Sequence, residues 1–192
     1  MIATGGTNIV KAFLGSTELA NIAIGDELLL SSAPIEYLQF KDAEVWRIMC
    51  VKYGDHDGST PIGITAEQCA AVSSFATGFM KGNKLVTTLD DLVYFTSISS
   101  LPNNFILNGT ALLNADLPSN ITRIEYNTLR GCTKLEYIVF RCSEVMSTGN
   151  NSLYNTNNCL VYVPDNLIND YKAAASWKQY ASRFRPLSDF PS

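Results

Sequence analysis

The chain has 192 residues, 46% hydrophobic and 17% charged, with a formal net charge of −4 and a pI near 4.9. That length suits one compact domain or two small ones burying roughly two-thirds of their surface. The acidic balance lacks the clustered Lys and Arg that phosphate binding needs, which excludes nucleic acid as an expected partner. No apolar run approaches the ~20 residues that span a bilayer, so membrane insertion is not expected either.

Residues 1–33 read as a β-hairpin leader. Leu14-Gly15-Ser16 is echoed shortly afterwards by Ile24-Gly25-Asp26, and each Gly-polar pair suits a tight turn between short strands. Ser31-Ser32-Ala33-Pro34 is a linker. Residues 34–98 then follow the order strand, helix, loop, helix. Ile35, Tyr37 or Leu38, and Phe40 mark the strand, and Asp42 suits a helix N-cap. Val45, Trp46, Ile48, Met49 and Lys52 form one apolar stripe with a polar end. A loop spans 54–63, and Thr65-Ala66-Glu67-Gln68 has the form of a capping box before a second helix.

From Phe105 the chain repeats itself. Phe105, Leu129 and Leu153 recur at a period of about 24 residues, and the pairs Leu112/Leu135, Leu117/Phe140 and Phe140/Val163 at about 23. A fixed period of this size marks stacked units, none able to bury its apolar face alone. After the last unit, Val161-Tyr162-Val163-Pro164 is a strand stopped by proline. Asp165 is placed to cap a helix holding Leu167, Ile168 and Tyr171, and a further turn runs from Ser176-Trp177 to Phe184. The five cysteines, Cys50, Cys69, Cys132, Cys142 and Cys159, contain no C-x-x-C pair and are expected as buried thiols. Cys132 and Cys159 are read as near matching phases of the repeat.

The run Leu129-Arg130-Gly131-Cys132-Thr133-Lys134-Leu135-Glu136-Tyr137-Ile138-Val139-Phe140 resembles the BspA-like (Treponema-type) leucine-rich repeats. Residues 105–117 match with one inserted residue and 153–163 match loosely. Cys159 to Pro164, Tyr171-Lys172-Ala173 and Trp177 are similar to that family's C-terminal cap, and 35–98 to the region before its repeats. The resemblance implies an α+β fold. It implies a two-helix N-cap, a short leucine-rich-repeat solenoid with a helical C-terminal cap over 99–192, and a role in adhesion, and the β-hairpin leader read from residues 1–33 precedes these. The first thirty residues, with paired Leu-Gly-Ser-Thr-Glu-Leu and Ile-Gly-Asp-Glu-Leu phrases, resemble leaders of phage and prophage structural proteins, notably tail-associated ones.

Candidate sites are few. Asp55-His56-Asp57-Gly58-Ser59 places oxygens of Asp55, Asp57 and Ser59 like the opening of an EF-hand loop. Thr60 stands where glycine is wanted and Ala66 where a bidentate Glu is wanted, so a solvated turn is expected and calcium is the weaker alternative. His56 is the one histidine, no G-x-S-x-G turn exists, and no enzyme is expected. Acid pairs Asp42/Glu44 and Asp90/Asp91 suit caps and solvent better than glycoside chemistry. Tyr126, Tyr137 and Tyr154, with the asparagine-rich turns around them, form the candidate surface for a protein or a cell-surface glycan. A lone hairpin is marginal in water, so Phe13, Leu14, Ile22, Ile24 and Leu28 are expected to dock on another subunit of a homo-oligomer or particle. The expectation is a non-enzymatic binding or assembly component of a virion, made in the host cytoplasm because the N-terminus lacks signal-peptide character. The alternative is a bacterial surface or secreted adhesin.

Overall fold

The structure is a computed structural model that describes residues 35–191 and four short strands before them. The chain divides into two compact units, Met1–Glu36 and Tyr37–Ser192, so the expected segments 34–98 and 99–192 fall within one unit from Tyr37 on. In the first unit β1 (Phe13–Leu14) pairs antiparallel with β2 (Thr17–Glu18), and β3 (Asn21–Ile24) with β4 (Glu27–Ser31). Leu14 pairs with Thr17 and Ile24 with Glu27, so each pairing brackets one of the Gly-polar doublets. The expected docking residues Phe13, Leu14, Ile22, Ile24 and Leu28 lie in these strands, but their side chains fall outside the described residues.

The second unit is mixed α and β, with short helices and both parallel and antiparallel sheets. Helix α1 (Ala43–Tyr53) starts where Asp42 accepts from the Glu44 and Val45 amides, and it buries Val45, Met49 and Cys50. The strand expected before it is absent over 35–40, where Leu38 N–H donates to the Ile64 carbonyl and the Gln39 carbonyl accepts from the Tyr94 hydroxyl without a ladder forming. The expected loop is instead a hairpin, β5 (Asp55–Asp57) against β6 (Thr60–Gly63). Gly58 at φ +58° supplies the left-handed residue that lets the chain reverse there. Helix α2 (Ala66–Ala71) carries both halves of the Thr65/Gln68 capping box.

Next come β7 (Ser100–Leu101), β8 (Asn114–Leu117), β9 (Arg123–Ile124), β10 (Tyr137–Phe140), β11 (Ser147–Thr148) and β12 (Leu160–Val163). These strands form two parallel sheets. One runs β8-β10-β12 and ends on β13 (Phe184–Pro186); the other runs β7-β9-β11. Tyr137 pairs with Asn114 on one side and Leu160 on the other, one repeat period away in each direction. Arg123 likewise pairs with Ser100 and Ser147, again one period before and one after.

A third ladder runs through turns rather than strands. The amides of Gly78, Met80 and Gly82 donate to the carbonyls of Asn103, Phe105 and Leu107. Those of Asn104, Ile106 and Asn108 donate to Tyr126, Thr128 and Arg130; those of Asn127, Leu129 and Gly131 to Asn150, Ser152 and Tyr154. Positions at both ends of each set have positive φ: Gly78 and Gly82, Asn104 and Asn108, Asn127 and Gly131, Asn151 and Asn155. Only glycine and asparagine adopt that conformation readily, which explains the amide-rich turns.

This ladder corrects two sequence expectations. The apolar column is Met80, Ile106, Leu129 and Leu153, so Ile106, not Phe105, is the partner of Leu129, and no residue is inserted. The coil holding Gly78–Gly82 already belongs to the stack, although its sequence reads as part of the cap; the connection from it to the next coil is longer than those that follow. Cys159 also changes place. The amides of Leu112, Leu135 and Cys159 each donate three residues back, to Gly109, Cys132 and Thr156, so Cys159 matches Leu135 rather than Cys132.

Aromatic clusters sit at both ends of the stack. Phe75 lies 5.2 Å from Phe79 and 5.3 Å from both Phe95 and Phe105, joining the helical region to the first coils. At the other end α3 (Ile168–Ala173) and the turn after it bury Tyr171 and Trp177 against Phe140, and Phe184 of β13 packs on both of those rings. Trp177 also donates its indole N–H to the Met146 carbonyl. Asp165 does not cap this helix as expected; it lies in a 3₁₀ turn and accepts from the Ser188 amide at 3.0 Å.

Candidate binding surface

The three tyrosines chosen from sequence do not share a face. Tyr137 is on the outer side of β10, half-buried, with Phe190 at 5.2 Å and Tyr162 at 6.4 Å. Phe190 also meets Tyr162 at 5.0 Å, so the tail covers this part of the sheet together with buried Val139. Burial, aided by the nearby carboxylates of Asp90 and Asp116, raises the Tyr137 phenol above its ordinary value. Beside it runs a row of charges. Lys41 Nζ lies 3.1 Å from Asp90, the Asp116 amide donates to Asp90, and Arg141 makes two bonds to Asp116 at 2.7 and 2.6 Å. The Lys41 ammonium is raised chiefly by its hydrogen bond to Asp90.

Tyr126 and Tyr154 project from the turn ladder and are 44% and 57% exposed. Tyr126 accepts weakly from the Asn151 amide at 3.4 Å, and the Arg130 guanidinium stacks 5.2 Å from the Tyr154 ring centre. Asn127 donates to Asn104 at 3.2 Å across successive coils. Rigid backbone with tyrosines and amides pointing outward offers ring faces, donors and acceptors at low ordering cost. Tyr154 also forms one wall of a groove of about 380 Å³ with Asn155, Asn158, Tyr180 and Arg183.

The other sequence candidates have local partners. Both carboxylate oxygens of Asp55 accept, one from the Tyr37 hydroxyl at 2.8 Å and one from Gln68 at 2.9 Å, while Asp57 and Ser59 face outward. Among the described residues no group of three or more His, Cys, Asp or Glu side chains is arranged to hold a metal. His56 Nδ1 lies 2.9 Å from the Gly58 carbonyl of its own turn. All five cysteines are free and buried, and burial pushes the thiols of Cys50, Cys69 and Cys132 up to about 11, 12 and 12.

Asp42 and Asp91 are buried together. Asp91 accepts from the amides of Lys41 and Asp42, and burial raises its pKa. Asp42 accepts from Glu44, Val45, Thr87 and Thr88; burial opposes its charge, but these donors prevail and lower its pKa. This pair ties the start of α1 to the following coil.

Sequence reasoning missed Arg130, Arg183 and Phe190. The signal for the ladder was present as paired Gly or Asn at 78/82, 104/108, 127/131 and 151/155. No helix among the described residues is long and apolar enough to cross a membrane. Comparison with known proteins finds no matching family model, no matching curated relative and no matching solved structure.

Proposed function

We propose that the coils from Gly78 to Pro186 form a short leucine-rich-repeat solenoid of the BspA-like kind, and that the chain is a non-enzymatic binding and assembly component. The observation that carries this reading is the parallel pairing of strands one repeat period apart, which holds an amide- and tyrosine-bearing face on a stiff frame. The resemblance of the leader to phage and prophage structural proteins supports a place in a virion tail or fibre. In this reading the hairpins β1–β2 and β3–β4 join copies into a homo-oligomer, because isolated two-stranded sheets are marginal in water. Catalysis finds little support, since His56 turns to its own loop and the thiols are held protonated.

Light scattering of the whole chain and of a version starting at Ser32 tests the assembly role. An oligomer that becomes a monomer on truncation is expected. Two monomers, or two equal oligomers, would contradict a leader that joins copies.

A further inference from the structure

The groove at the end of the turn ladder has an uncompensated positive charge. Arg47, Arg123 and Arg141 each pair with a carboxylate, Glu44, Glu125 and Asp116 respectively. Arg130 and Arg183 have no carboxylate partner among the described residues. Arg183 donates to Thr156 Oγ1 at 2.9 Å, to the Leu153 carbonyl at 3.4 Å and to Asn158 Oδ1 at 3.3 Å, all neutral acceptors. Its guanidinium lies 5.0 Å from the Tyr180 ring centre, as that of Arg130 lies 5.2 Å from Tyr154. Two arginine–tyrosine stacks therefore flank one groove, on a chain whose net charge is −4.

The rim of the groove carries the exposed hydrogen-bonding groups. Tyr180 forms the floor rather than a polar contact: it is 5% exposed, its buried hydroxyl has no hydrogen-bond partner among the described residues, and burial raises its phenol. Asn155, Asn157 and Asn158 are exposed with φ of 57°, 50° and 55°, presenting three amides along the rim. The volume of about 380 Å³ falls within the roughly 300–1,000 Å³ of small-ligand clefts.

We propose that this groove binds an acidic saccharide, its carboxylate received by Arg183, its hydroxyls by the asparagine rim, and its C–H face by the Tyr154 ring. The inference rests on the binding role proposed above and gives it a ligand class. Guanidinium forks match carboxylates in geometry and charge. Exposed aromatic rings and amides suit a pyranose better than a peptide, which would need a line of free backbone partners.

The test is calorimetric titration of the full chain with a glucuronate-containing tetrasaccharide, its neutral glucose counterpart, acetate and an acidic peptide. The acidic sugar is expected to bind about tenfold more tightly than the neutral one, a difference of about 1.4 kcal/mol. Tyr154→Ala, at a position with an exposed ring, and Arg183→Gln should each weaken that binding by about tenfold. Circular dichroism melts identify any variant that has lost its fold; Arg183→Lys, which keeps the charge and loses the planar fork, then replaces Arg183→Gln with the same expected weakening. Equal binding of neutral and acidic sugars, no sugar binding, or displacement of the sugar by equimolar acetate would overturn the proposal. So would preference for the acidic peptide. Light scattering of the leader truncation reads the assembly role separately, so failure here leaves that reading standing.

Discussion

Asp42 does more than begin a helix. One carboxylate oxygen holds the first turn of α1 through Glu44 and Val45, and the other holds the amides of Thr87 and Thr88 and the Thr87 hydroxyl. Replacing it with asparagine sets an NH₂ group against donors, so Asp42→Asn should cost about 2 kcal/mol. That corresponds to a fall of about 6 °C in melting temperature for a chain of this size. The sign with pH follows from the lowered pKa. Asp42 contributes stability fully above its ordinary value of 3.8, and this is lost as pH falls through the still lower value in the fold. Buried Asp91 acts in the opposite sense, because its raised pKa means the fold loses stability as it ionises. Acid melts of Asp42→Asn should therefore show a weaker loss of stability below pH ~4 than the parent chain. An unchanged acid slope would remove Asp42 from this role.

Among elements, the turn ladder is the least familiar and the most demanding of sequence. Gly131 has φ +76°, and a Cβ there would run into the Asn108 amide of the preceding coil. Gly131→Ala should cost about 2–3 kcal/mol from backbone strain and the clash. Asn127→Gly keeps the left-handed turn and loses the bond to Asn104, so it should cost about 1 kcal/mol or less. Denaturant unfolding of both variants checks the order; a milder effect at Gly131 would contradict the ladder. The caps of α1 and the box of α2 were legible because their hydrogen bonds are local, between residues at most three apart. The hairpin at 55–63 was not, since the acidic spacing of Asp55, Asp57 and Ser59 disguised a glycine-centred turn. Phe105 misled for a related reason. It is apolar and fully buried like its neighbour Ile106, and only the hydrogen-bond register separates them.

At the scale of the whole molecule, the period of the repeat was readable, while its extent and its partners were not. Apolar side chains recurring at a fixed spacing announce stacking. The coil at Gly78–Gly82 breaks that spacing, standing further from its neighbour, and has Met80 where the later coils have Ile106, Leu129 and Leu153. Likewise nothing local marks Phe190 as the residue that covers Tyr137 and Tyr162, or Arg183 as the neighbour of Asn158. Such contacts join chain ends that sequence patterns treat separately. The aromatic clusters at the two ends explain how so short a stack closes itself: each fully buried large ring contributes about 1.5–3 kcal/mol where an open coil would face water. The same closure leaves the turn ladder without a further rung at 151–155 among the described residues, next to the groove that holds Arg183.

Amide hydrogen exchange resolved by residue tests the stacking most directly. Slow exchange is expected at Asn104, Ile106 and Asn108 and again at Asn127, Leu129 and Gly131, with faster exchange at Asn151, Leu153 and Asn155, where the ladder ends. Fast exchange throughout the first two sets, or equal protection at the third, would contradict coils joined rung to rung.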